Sequence, residues 1–119
     1  LKNVRFFNLS KNSNMYIDLE KQYTKERYSQ ILDETQRIVE QELSLTQKGE
    51  DSDIWISIIS QIKDIREKIV ESRIYMDWED VYARYSIGSI GIEYFDDGDE
   101  MHMRLCDIFH GAVHYCELS

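Results

Sequence analysis

Proline is absent from this sequence, and its 119 residues include only two cysteines, five glycines and three histidines. Without proline there is no cis-prolyl turn and no ring to kink a helix. Two cysteines cannot build a disulfide framework. If Cys106 and Cys116 share a helix, they stand about 15 Å apart along its axis and cannot pair. There is no CxxC, no HExxH and no glycine-rich loop followed by lysine, so zinc-ribbon, zincin and P-loop chemistries have no signature here. No window approaches the ~18 uninterrupted apolar residues of a membrane span, and the first residues lack a signal-peptide h-region. A cytoplasmic protein with reduced thiols and no membrane partner is expected. Positive charge is scarce in one region above all. Residues 74–119 contain Arg84 and Arg104 against ten acids, a net of −8, while residues 1–73 stand at −1. Such a stretch repels nucleic-acid backbones, which argues against direct nucleic-acid binding, and steers basic partners toward it.

What is present is a globular composition, 42% apolar and 12% aromatic. That is enough for one domain over 1–119, burying about two-thirds of its unfolded surface. Val4, Phe6, Phe7 and Leu9, then Lys11-Asn12-Ser13-Asn14, predict a short non-helical arm and capping turn over 1–14. Apolar residues next recur in steps of three and four. Tyr16, Leu19 and Tyr23 form one stripe; Tyr28, Ile31, Leu32, Thr35, Ile38, Val39 and Leu43 form another. They predict helix over about 15–48 with a break near Thr24. Ile54, Ile58, Ile62, Ile65 and Ile69, with Trp55, Ile59 and Val70 beside them, mark a buried helix over 53–75. About three turns of isoleucine are short for a coiled-coil seam, so homo-oligomerisation is not favoured. Asp77 is placed to cap a third helix, expected to run over 77–95. Ile87, Ile90, Ile92 and Tyr94 leave a strand over 86–95 open, but Gly88 and Gly91, three apart, would let a helix approach its neighbour closely. Asp96-Asp97-Gly98 reads as a turn. A last helix over 99–116 then presents Met101, Leu105, Ile108, Phe109 and Ala112 inward. The expected fold class is all-α, an antiparallel bundle of four to five helices with an N-terminal arm.

That last helix carries His102, Cys106, His110 and His114 at successive i+4 positions. Neighbours lie one turn apart, which suits two ligands of one metal, but the ladder drifts ~40° per step and four cannot converge. Packing at a helix seam, with no metal and no cofactor, is the simpler expectation. Arg104 and His110 also fit the Arg-x4-6-His pattern of the helical HEPN ribonucleases, and at these two positions the chain resembles that family. Leu105 stands where the family commonly has a polar residue, and the acids before the helix are a poor approach for RNA. A HEPN-like or metal-dependent ribonuclease using this Arg/His/Cys cluster is the enzymatic alternative.

The positive signal lies in residues 75–100, where aromatics interleave with acids. Trp78, Tyr82, Tyr85 and Tyr94 are the residue types most often found as interface anchors. Asp77, Glu79, Asp80, Glu93, Asp96, Asp97, Asp99 and Glu100 supply steering toward a basic surface. These twelve residues are the expected partner-binding set. In Asp77-Trp78-Glu79-Asp80, the segment Tyr85 to Phe95 and the Asp96–Glu100 turn, the chain resembles the small, acidic, helical immunity proteins of bacterial toxin systems, including contact-dependent inhibition and bacteriocins. That resemblance implies a non-enzymatic protein that binds and neutralises a cognate toxin, often a basic nuclease domain. A phage-encoded acidic inhibitor or nucleic-acid mimic shares the same surface features.

Overall fold

The computed structural model describes residues 24–119. The arm expected over 1–14 and the start of the helix expected from residue 15 lie outside the described residues. Among the described residues the chain is all-α, an antiparallel helical bundle with no strand. Helix α1 (Lys25–Leu45) begins at Thr24, whose hydroxyl oxygen accepts the Arg27 N–H at 3.0 Å. Helix α2 (Glu50–Ile65) begins three residues before the expected start. Ser52, inside its first turn, accepts the Gly49 N–H at 3.0 Å and donates to the Gly49 carbonyl at 2.8 Å. The helix then widens into a π-helical turn, Arg66–Glu71. It closes with the Ser72 N–H on the Glu67 carbonyl (3.0 Å) and the Ile74 N–H on the Lys68 carbonyl (2.8 Å).

Residues 77–95 form two helices, not the single expected one: α3 (Trp78–Arg84) and α4 (Ile87–Tyr94). Tyr85 between them is extended, with φ −124° and ψ 122°. The reason is a phase change in the apolar stripe. In an unbroken helix Ile87 and Ile90 would lie about 200° and 140° around the axis from Tyr85. All three are buried, so the backbone must straighten once to turn both stripes inward. As expected, Asp77 caps α3 by accepting the Asp80 N–H at 2.9 Å. Helix α5 (Glu100–His114) starts on Asp99, which accepts the Met101 N–H at 2.9 Å, and ends in one 3-10 turn, Tyr115–Glu117.

The isoleucine helix is central. Ile58, Ile62, Ile65 and Ile69 have no exposed surface, and Trp55 packs on Phe95 with ring centroids 5.7 Å apart. Each such isoleucine contributes about 1.5–3 kcal/mol by burial. That outweighs the few tenths of a kcal/mol by which a β-branched residue disfavours helix. From α1, Tyr28 enters the same core and its hydroxyl donates to the Ile108 carbonyl at 2.7 Å. Helices α4 and α5 pack closest of all because α4 offers glycine to its partner. A Cβ at Gly88 would stand 3.1 Å from the Phe109 ring, and one at Gly91 would stand 3.0 Å from the Leu105 Cβ. Among the described residues, no helix is long and apolar enough to cross a membrane.

Candidate interaction surface

Helices α3, α4 and α5 meet around a groove of about 200 Å³. Trp78 and Tyr82, one turn apart on α3, stack nearly parallel, with ring centroids 4.9 Å apart and planes 8° from each other. Both rings stand on Phe109 of α5 in edge-to-face geometry, at 6.1 and 6.5 Å. This three-ring arrangement is held from one side only. Trp78 remains 51% exposed and Tyr82 57%, and Ile92 on the opposite wall is 62% exposed. Gly88 and Ser89 form the floor on the α4 side. Offset and T-shaped ring pairs are favourable in themselves, so the aromatic wall is set before anything binds to it.

Six of the expected acids lie at the surface in this part of the molecule: Asp77, Glu79 and Asp80 with α3, Glu93 on α4, and Asp96 and Asp97 in the turn that follows. Arg84, the single cation of α3, is bound at 3.0 Å by Asp64 of α2. Its charge is thereby largely balanced within the fold. Arg84 and Tyr85 together hold the Asp64 carboxyl below its ordinary value, mainly through their hydrogen bonds to it.

Three members of the expected set are interior and not part of the surface: Tyr85, Asp99 and Glu100. Tyr85 is 3% exposed and its hydroxyl donates to Asp64 Oδ2 at 2.6 Å; burial pushes that hydroxyl up to about 12. Asp99 is wholly buried, because its carboxylate caps α5. Glu100 is turned inward to Arg104, with Oε2 3.5 Å from the guanidinium Nε. Desolvation raises the Glu100 carboxyl above its ordinary value, and the charge of Arg104 offsets this only in part. Tyr94 is half-buried against the core. The residues added by the structure are Ile92 and Phe109. Ile92 had a clue in spacing, since Gly88 and Ile92 repeat on α4 the i+4 interval of Trp78 and Tyr82 on α3; Phe109 had none.

The histidine–cysteine ladder of α5 disperses over several environments. His102 donates from Nδ1 to the Gly91 carbonyl at 2.8 Å, at the α4–α5 seam. His114 donates to Glu117 at 2.9 Å. Cys106 borders the groove, but its thiol is pushed up to about 11 by burial and by Asp107 and Asp97, which disfavours the nucleophilic thiolate. His110 also borders the groove, and burial holds it below its ordinary value. Among the described residues, no three His, Cys, Asp or Glu side chains are grouped to hold a metal ion. Arg104 points away from His110, toward α1. Its Nη1 donates to Thr35 Oγ1 at 3.0 Å and lies 3.5 Å from Glu34. The two members of the Arg-x4-6-His pattern thus serve different faces of α5.

No family model matches this chain, and neither a curated protein nor a solved structure shows significant similarity to it.

Proposed function

We propose that this chain is a non-enzymatic immunity protein that acts in the cytoplasm by binding a cognate bacterial toxin, a basic nuclease domain, through the α3–α4 face. One observation carries the reading. A half-exposed Trp78–Tyr82 stack, fixed on Phe109 and facing Ile92, lies among six surface acids. A preformed aromatic wall loses little conformational freedom on binding, and Trp and Tyr dominate interface energetics. The surrounding carboxylates accelerate encounter with a cationic surface and disfavour acidic competitors. A nuclease domain has such a surface because it must hold phosphates.

The test is stopped-flow association with the toxin domain encoded in the adjacent reading frame. Association is expected to slow with rising salt, and to slow at low salt in Asp96→Asn/Asp97→Asn. Asp99 is left intact because it caps α5. A rate indifferent to both salt and these substitutions would falsify electrostatic docking at this face.

A further inference from the structure

Apart from the acidic face, a cavity of about 310 Å³ is lined by Lys25, Val70, Arg73, Tyr75 and Tyr115. The chain carries a net charge of −9, yet among the described residues this lining holds two cations and no carboxylate. Several other cations find acids: Arg27 and Arg104 reach Glu34, Arg66 reaches Asp33, and Arg84 reaches Asp64. Among the described residues, neither Lys25 nor Arg73 is ion-paired. The Lys25 ammonium donates to the Leu118 carbonyl and lies over the Tyr115 ring, 5.4 Å from its centroid.

The backbone bends in two uncommon ways beside this cavity. The π-helical turn Arg66–Glu71 supplies Val70. Arg73 then adopts φ +54°, the left-handed conformation, between the two closing hydrogen bonds of that turn. A helix terminus of this shape is filled at least cost by glycine, since a Cβ there meets the following carbonyl. Both π-turns and left-handed non-glycine residues concentrate at functional sites. Here they occur within one segment, and each delivers a side chain to the same cavity. The fold by itself would be better served by glycine at 73; what arginine adds is a guanidinium on this wall.

We propose that the cavity binds a phosphoryl group, either as inorganic phosphate or as a phosphate monoester. The Arg73 guanidinium and Lys25 ammonium supply charge-assisted donors. Tyr75 and Tyr115 add two hydroxyls. Burial and the neighbouring Tyr75 push the Tyr115 hydroxyl up while Arg73 pulls it down, so these groups lie within each other's field and Tyr115 stays a donor at neutral pH. Four donor-bearing side chains on one lining suit the oxygens of a phosphoryl group better than the two of a carboxylate. Among the described residues the cavity shares no lining residue with the α3–α4 groove, so it stands independently of toxin binding.

Calorimetric titration of the full chain tests this, using inorganic phosphate, O-phosphoserine and, as carboxylate control, acetate at constant ionic strength. Saturable binding of phosphate or phosphoserine is expected. Affinity should weaken about tenfold or more in Arg73→Gln and Arg73→Gly, which lose a charged hydrogen bond. Without ligand, Arg73→Gly should retain or raise the urea midpoint of the wild type. Tighter binding of phosphoserine assigns a monoester, and tighter binding of phosphate assigns the free ion. Absence of saturable binding, equal binding of acetate, or undiminished affinity in Arg73→Gln would overturn the proposal.

Discussion

The Trp78–Tyr82 pair and the Asp96–Glu100 turn have the same kind of sequence, acids mixed with large or flexible residues, but the fold uses them in opposite ways. On α3 the aromatics stay half in water and the acids beside them are surface groups. In the turn, Asp96 and Asp97 face solvent while Asp99 and Glu100 are buried within three further residues. Composition is therefore a poor guide to availability; the position of each carboxylate relative to a helix start decides it. Asp77 caps the short α3 and remains exposed. Asp99 performs the same task for α5, which is packed on both α1 and α4, and disappears from the surface.

This contrast can be broken or sharpened by substitution. The largest effect is expected from Arg104→Leu, which would leave the buried Glu100 carboxylate without its cation. Removing one partner of a buried ion pair costs about 3 kcal/mol or more, measured as a loss in urea unfolding free energy. Gly91→Ala should cost about 1–3 kcal/mol in the same assay, because a Cβ 3.0 Å from Leu105 and 3.3 Å from the His102 carbonyl forces α4 and α5 apart. Asp99→Ala should cost about 1 kcal/mol through loss of the α5 cap, whereas Asp97→Ala, a fully exposed neighbour, should change stability by less than about 0.5 kcal/mol.

The smallest effect is in pH dependence, and its sign separates interior from surface acids. The Glu100 carboxyl is raised by desolvation, so its contribution to stability is greatest below its ordinary 4.5 and falls as pH rises through the raised folded value. Asp64 is lowered, so its contribution is present above 3.8 and is lost as pH falls through the lowered folded value. Glu100→Gln should accordingly remove one component of stability loss on going from pH 4.5 to neutrality. Asp64→Asn should remove a favourable component present at neutral pH. Urea midpoints at several pH values read both.

Much of the helical framework was legible because it depends on local periodicity. The isoleucine run from Ile54 to Ile69 could only be a buried helix, and Thr24, Asp77 and Asp99 carry their capping chemistry openly. The close α4–α5 contact was readable from Gly88 and Gly91. The break at Tyr85 was written in the phase of the apolar positions, but short helices blur phase, and Gly88 and Gly91 supported continuation equally well. The inward turn of Glu100 was not legible. It depends on Arg104 one helical turn later and on Glu34 and Thr35 some seventy residues away. The groove was half legible: its Trp78–Tyr82 wall is a local i+4 pair, while Phe109 joins it only through tertiary packing.

The central claim is that the α3 aromatics serve a partner more than they serve the fold. Its most direct test is the affinity of Trp78→Ser/Tyr82→Ser for the cognate toxin domain, read beside the variant's urea unfolding. Affinity is expected to fall about thirtyfold or more, as for paired interface anchors. Stability should fall by about 1.5–3 kcal/mol for the two rings together, since half of each is already in water. Unchanged affinity, or a stability loss above about 5 kcal/mol, the upper end expected of Trp55→Ala in the core, would contradict it.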